Sequence, residues 1–294
     1  MTIHIPVLPH EVIDGLNPQP GSTIVDGTLG GGGHAQAILE RLGGNGTLFG
    51  FDRDPSAVDD TRTRILAPNA HLITANYSDM PEQLSLFDVT EVDGILLDLG
   101  LSSDQLADRD RGFSFHSDGP LDLRFNQMAG EPAAKLVNRL SEKHLANLIY
   151  EFGEERFSRR IARKIVKLRH DNKIETASHL ASIVRSCIPK TKKKSIDPAT
   201  KTFQALRIAV NEELKWLKVA VNRLPDLLAP GGRIAIISFH SLEDRIVKQS
   251  LQQNEQLEIL SRKPVMAGEQ ELLNNPRSRS AKLRIAQRKH PVLQ

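Results

Sequence analysis

The chain has 294 residues, 39% hydrophobic and 26% charged, with a formal net charge of +3. This is enough for one large or two ordinary domains around a real core. The lone cysteine, Cys187, excludes an internal disulfide framework and points to a reducing, cytoplasmic compartment. No run of about 18 apolar residues is present to span a membrane.

Met1 to Pro6 has no basic lead and no long apolar stretch, so no export signal is expected there. Ile24-Val25-Asp26 then reads as a short strand ending in an acid. Gly27 and the run Gly30-Gly31-Gly32-Gly33 follow, and His34 leads into a helix over Ala35–Leu42. Glycine lets backbone turn sharply and lie flat against a ligand. A strand that breaks into glycines and then a helix places N–H groups at the mouth of a parallel sheet, where nucleotide-like cofactors bind. Thr47 to Asp52 is a second apolar run ending in a carboxylate. An acid in that place can accept hydrogen bonds from both hydroxyls of an adenosine ribose. Pro55–Leu66 is a predicted helix with proline in its first turn, and His71–Thr74 a third strand. Val92 to Leu97 is a fourth, ending in Asp98-Leu99-Gly100. Strands alternating with helices argue for a doubly covered parallel sheet.

After Leu101 the strand signal stops. Ala133–Leu140, His144–Tyr150, Glu154–Leu168 and His179–Cys187 read as helices. In Glu154–Leu168, Phe157, Ile161, Ile165 and Leu168 share one side. Arg156, Arg159, Arg160, Arg163 and Lys167 share another, read either as a solvated face or as a phosphate-binding one. A long amphipathic helix is expected from Thr202 to Leu228, stopped by Pro230-Gly231-Gly232. A buried strand Arg233–Phe239 follows, then a helix with Ser241 as N-cap. Leu257–Leu260 and Leu283–Ala286 are candidate last strands. The fold class is therefore α/β, a Rossmann-like sheet domain over 1–103 and 206–294, with an all-helical insertion over 104–205. Further basic clusters lie at Lys190, Lys192, Lys193 and Lys194, and at Arg277, Arg279, Lys282, Arg284, Arg288 and Lys289. Together they suggest a directed polyanion surface.

Several stretches taken together resemble one family. They are His4-Ile5-Pro6-Val7-Leu8, Asp26-Gly27-Thr28 with Gly31-Gly32-Gly33-His34, Asp52-Arg53-Asp54-Pro55, and Asp93 to Gly100 with Ser102, Ser103 and Gln105. Arg111-Gly112-Phe113-Ser114-Phe115, Gly119-Pro120-Leu121-Asp122, Gly153-Glu154-Glu155-Arg156 and Thr202 to Arg207 continue the set. Ser238 to Arg245 and Asn275 to Ser280 complete it. In that order they resemble the MraW family of bacterial small-subunit ribosomal RNA methyltransferases. The resemblance implies a class I methyltransferase sheet using S-adenosylmethionine to methylate N4 of a decoding-site cytosine in 16S rRNA. It implies a cofactor site of Gly32, Gly33, His34, Asp52, Tyr77, Asp98 and Gln105, and 16S rRNA within the 30S subunit as partner. The linker between Arg245 and Asn275 is shorter than in many relatives.

Read beside the resemblance, Asp98 is the leading catalytic candidate, orienting the reacting centre through cofactor or amine. His240, at the end of a later strand, is either a proton relay or a structural hydrogen bond. His34 is expected to make a backbone or cap contact, because a helix N-terminus disfavours the imidazolium. Phe113, Phe115 and Phe239 are candidates to clamp a base. Direct in-line displacement is expected, with no metal, since the histidines lack ligand spacing. A covalent route would need a cysteine at the sheet edge, and Cys187 lies in the insertion. The expected state is a monomer or weak homodimer. Two rivals remain. Gly30 to Ala35 loosely fits a dinucleotide oxidoreductase, and the cationic stretches alone would fit a non-enzymatic RNA-binding module.

Overall fold

The computed structural model describes residues 6–115, 118–189 and 197–291. Lys190, Lys192, Lys193 and Lys194 therefore lie outside the described residues. The chain divides into two compact units, Met1–Ser102 with Leu214–Gln294, and Ser103–Glu213.

The first unit opens with α1 (Pro9–Leu16), β1 (Thr23–Asp26), α2 (Gly33–Leu42), β2 (Thr47–Asp52) and α3 (Pro55–Arg62). β3 (Ala70–Thr74), α4 (Met80–Ser85) and β4 (Val92–Asp98) follow. The second unit holds α5 (Ser103–Ala107), α6 (Ala133–Arg139), α7 (Glu142–Gly153), α8 (Ser158–Asp171), α9 (Ala177–Cys187) and α10 (Thr200–Asn211). α11 (Glu213–Arg223) leads back into β5 (Leu228–Ser238), α12 (Ser241–Gln253), β6 (Leu257–Ile259), α13 (Glu269–Asn274) and β7 (Lys282–Arg288).

The seven strands form one sheet in the order β3-β2-β1-β4-β5-β7-β6. β3, β2, β1, β4 and β5 run parallel, and β7 is antiparallel to both β5 and β6. Alternation along the strands explains the double coverage. Val25, Phe49, Ile95, Leu97, Ile234 and Ile236 enter one buried cluster. Their chain neighbours Ile24, Leu48, Leu96, Ala235 and Ile237 enter the other. The strand order reverses between β1 and β4, which makes the ends of these strands the topological switch point. Register aligns those ends, pairing Asp26 with Gly50 and Leu96, Asp52 with Thr74, and Asp98 with Ile237.

Local chemistry sets the boundaries. Asp54 caps α3 by accepting a hydrogen bond from the Ser56 N–H, with Pro55 in the first turn. That helix ends at Arg62, short of the expected Leu66. β5 starts at Leu228, earlier than the expected Arg233, and takes in Pro230-Gly231-Gly232 with a register shift against Val92 and Gly94.

One long predicted helix starts late and another is broken. Glu154 adopts φ 47°, so α8 starts only at Ser158 and Phe157 is its N-cap. Glu212 adopts φ 51° and ends α10, so Thr202–Leu228 is not one helix. The break at Glu212 follows Asn211, which is buried. Its side-chain amide donates to the Leu123 carbonyl at 2.7 Å, and its Oδ1 accepts from the Phe125 N–H at 2.8 Å. These bonds anchor the end of α10 inside the second unit, whose boundary therefore lies at Glu213 and not at residue 205.

Candidate active site

The glycine loop after β1 is built by its backbone. Gly32 caps α2 at φ 79°, a left-handed conformation that a side chain would strain. A Cβ there would also stand 2.8 Å from Thr61 Cγ2. Asp52, at the tip of β2, accepts from the Gly30 N–H at 2.8 Å and from the Asp54 N–H at 2.9 Å. One carboxylate thus ties the glycine loop to the second strand. Tyr77 follows β3 on a short turn and packs against the β-sheet core. Its Cβ lies 3.1 Å from where a Gly27 Cβ would stand, which brings Tyr77 beside the β1 loop.

A buried cluster of ionisable groups lies between β1, α2 and β4. Asp26 is 1% exposed, and its Oδ1 accepts from the Thr28 N–H at 3.1 Å. The Thr28 hydroxyl in turn accepts from the Asp98 N–H at 2.6 Å, locking the tip of β4 to the loop after β1. His34 is 5% exposed, with Nε2 3.6 Å from Asp98 Oδ2. That distance is an ion pair held short of a hydrogen bond. Asp26 Oδ2, Asp98 Oδ1 and both His34 ring nitrogens are buried with no hydrogen-bond partner. Buried polar atoms are almost always satisfied, so this concentration marks a place shaped for a polar ligand.

The protonation states follow from burial and charge. Desolvation pushes the Asp26 carboxyl up to about 6, against the nearby His34 and the Thr28 N–H. For His34, burial is the largest influence and opposes the charged ring. Asp98 first, then Asp26 and Glu271, outweigh it and raise the pKa above its ordinary value. This corrects the expectation that the α2 N-terminus keeps His34 neutral. Carboxylates at two strand tips overcome the helix-end effect, which contributes only about 0.3–2 kcal/mol.

Gly32, Gly33, His34, Asp52, Tyr77 and Asp98 all belong to the first unit, at or just beyond the carboxyl ends of β1 to β4. Gln105 sits on α5 in the second unit and is buried. Asp26 and Thr28 were absent from the sequence-predicted set, although Asp26 ends β1 just as Asp52 and Asp98 end their strands.

His240, not Ser241, is the N-cap of α12. Its Nδ1 accepts from the Glu243 N–H at 3.3 Å, while the Glu243 carboxylate returns to the backbone in a capping box. Its Nε2 lies 3.1 Å from Glu243 Oε1, without the alignment of a hydrogen bond. The structural role is thus occupied by Nδ1, and only Nε2 remains for any proton transfer.

The three aromatic candidates separate. Phe113 is 5% exposed and stacks on Phe125 at 5.9 Å. Phe115 packs edge-on against Phe203 at 5.3 Å. Both rings are packing residues of the second unit. Phe239 is half-buried just past the tip of β5. Its ring lies 3.0 Å from where a Gly100 Cβ would stand, and its N–H donates to Glu243 Oε2 at 2.9 Å.

Among the described residues, no helix is long and apolar enough to cross a membrane.

The family model described as "MraW methylase family" matches residues 1–289. The chain is 52% identical over 285 residues to ribosomal RNA small subunit methyltransferase H of Deinococcus radiodurans, covering 97% of this chain and 89% of that one. It is 52% identical to the protein of the same name from Deinococcus deserti, covering 97% and 93%. For the Rhodopirellula baltica protein of that name the identity is 47%, covering 98% and 92%. The chain belongs to the MraW methylase family.

Proposed function

We propose that this protein methylates the exocyclic N4 of a decoding-site cytosine in 16S rRNA, within the small ribosomal subunit, using S-adenosylmethionine. The observation that carries the reading is the family match along nearly the whole chain, to relatives named for methylation of small-subunit rRNA. The cluster of unsatisfied buried polar atoms at the strand tips supports it.

The residues present fit the cofactor. Asp52 stands where a carboxylate accepts ribose hydroxyls, and its two backbone bonds fix its orientation. Asp26 Oδ2 offers a buried acceptor suited to an ammonium group, and His34 a buried donor suited to a carboxylate. Gly32 and Gly33 allow close backbone approach, and Tyr77, whose Cβ lies beside the β1 loop, is proposed as a further cofactor contact. Gln105 is proposed as a further contact on the grounds of the family resemblance. When bound, the cofactor supplies a methyl group on a cationic sulfur.

Asp98 is the proposed catalytic residue. Its Oδ1 is a buried acceptor without a partner, and Thr28 holds its backbone in place. A cytosine N4 is a weak nucleophile because its lone pair is delocalised into the ring. A carboxylate accepting one amine hydrogen increases electron density on nitrogen as it attacks, and preorganisation makes that interaction effective. Positioning accounts for much of the remaining catalysis. His240 Nε2 is the proposed acceptor, direct or through water, for the proton released after transfer. The helical unit is proposed to recognise the RNA.

Mass spectrometry of 16S rRNA nucleosides from a strain lacking this protein tests the assignment. N4-methylated cytidine is expected to disappear and to return on complementation. Its persistence in the deletion strain would falsify the assignment.

A further inference from the structure

Helix α8 has two chemically opposite sides. Ser158, Ile161, Ala162 and Ile165 are buried, and at about 100° per residue they fall on one side. Arg169 is on that side too, and donates to the Val137 carbonyl at 2.6 Å. Arg159, Arg160, Arg163, Lys164 and Lys167 are all exposed, and they fall on the opposite side, over roughly 140° and about 12 Å of axis.

A solvated helix face usually alternates the sign of its charges. Here the i,i+4 neighbours are Arg159 and Arg163, Arg160 and Lys164, and Arg163 and Lys167. Each like-charge pair costs about 0.2–0.5 kcal/mol. The first turn contains no acid, and Arg159 and Arg160 stand at the end of the helix that the dipole makes positive. The acids around the helix do little to offset this. Glu142 on α7 reaches Arg163 at 3.4 Å, with both side chains exposed. Asp171 pairs with His170 at 3.4 Å, and buried Glu155 accepts from the Phe157 N–H. Among the described residues, Arg159, Arg160, Lys164 and Lys167 form no ion pair.

We propose that this face of α8 is a phosphate-tracking surface for the rRNA backbone, an inference that rests on the function proposed above. A span of about 12 Å matches three to four phosphates at about 3.4 Å of rise per nucleotide. A membrane-surface helix would need a lipid-facing apolar side, but the apolar side of α8 is already buried within its own unit.

The test replaces Arg159, Arg160, Lys164 and Lys167 together with Gln in the full chain. Binding to a 16S rRNA transcript and to 30S particles from a deletion strain is measured between 50 and 200 mM salt. Four lost contacts lower the slope of log K against log salt by about 2.8, taking about 0.7 per contact for single strands. The loss of affinity across that salt range then becomes about 50-fold smaller than in the wild type. S-adenosylmethionine affinity is expected to be unchanged, and the set exchanged between Arg and Lys is expected to restore the slope. An unchanged slope on the transcript overturns the proposal, as does lost binding to 30S particles with transcript binding intact. The latter result would make the partner a ribosomal protein. If the fourfold variant fails to fold, Arg159→Gln and Lys167→Gln singly are each expected to lower the slope by about 0.7. If wild-type protein leaves N4-methylcytidine unchanged, the function assignment has failed, whatever the slope of the variant.

Discussion

The strand tips of the first unit and the outer face of α8 concentrate opposite charges in opposite environments. Asp26, His34 and Asp98 are held close together at the strand tips, where burial raises the pKa of Asp26 and the two carboxylates raise that of His34. The α8 cations stand in water, where screening acts within about 10 Å at 0.1 M salt. Burial therefore makes the acidic cluster sensitive to pH and intolerant of substitution. Exposure makes the basic face sensitive to salt and tolerant of single changes. The contrast suits a protein that must hold a small cationic donor tightly and a long polyanion reversibly.

The sharpest way to break the comparison is at Asp98. Asp98→Ala is expected to lower kcat by about 10²–10³-fold, the usual cost of one preorganised electrostatic contact to a reacting group. Its affinity for RNA should match the wild type, because the α8 face is untouched. A single-turnover assay together with a filter-binding curve reads both. If kcat fell only severalfold, the role assigned to Asp98 would pass to another group.

Next in size is a pH effect confined to the buried cluster. Folding raises the pKa of Asp26 from 3.8 to about 6 and also raises that of His34. Both groups bind protons more tightly in the folded state. Their contribution to stability is complete at low pH and is lost as pH rises, for Asp26 between 3.8 and about 6. For Asp26 alone the loss is on the order of 3 kcal/mol. Asp26→Asn removes this term and weakens one of the attractions that raise the His34 pKa. Urea unfolding at pH 4 and pH 7 is expected to show the variant gaining on the wild type as pH rises. The fourfold α8 variant should show no such relative gain, and parallel curves for Asp26→Asn and wild type would remove the buried cluster as the pH-sensitive element.

Asp52→Ala is expected to weaken S-adenosylmethionine binding by roughly 2 kcal/mol, or about 30-fold, as fits the loss of hydrogen bonds to a charged acceptor. It also frees the Gly30 and Asp54 N–H groups, so Asp52→Asn is the milder comparison. Calorimetric titration with the cofactor reads the loss, and wild-type affinity in Asp52→Ala would remove Asp52 from the cofactor site.

The strand tips were legible because three apolar runs each end in an acid, and glycines follow the first and fourth strands. Alternation along those runs is what a doubly covered sheet requires, so their burial could also be foreseen. The interruption between α7 and α8 was legible but its position at Glu154 was not, and the break at Glu212 was not legible at all. Each is a non-glycine residue at positive φ, a conformation costing roughly 1–2 kcal/mol that sequence signals rarely mark. At Glu212 the compensation comes from Asn211, which bonds to a segment over eighty positions away in the chain. The α12 cap was placed one residue late because Ser241 is the commoner type of cap, and only the Glu243 carboxylate reveals that His240 closes the turn. The upward shift of the His34 pKa depends on how near Asp98 comes, which residue spacing does not encode.

The smallest expected effect concerns Phe239, a half-buried, uncharged residue just past the tip of β5. Gly100 leaves room for the ring, and Glu243 fixes its backbone beyond Asp98. A base seated at Asp98 would find the ring two strand-tip residues away, suited to stacking. Base–aromatic stacking is worth about 1–3 kcal/mol. Phe239→Leu keeps the apolar contact with the core and removes the aromatic face, so about 1 kcal/mol, or roughly fivefold in KM for RNA, is expected. Cofactor affinity should be unchanged, and Phe239→Tyr should behave as the wild type. A fluorescent cytosine analogue at the target position separates stacking from packing. Its emission should be quenched by wild-type protein and by Phe239→Tyr, but not by Phe239→Leu. Equal quenching by all three would reduce Phe239 to a core residue.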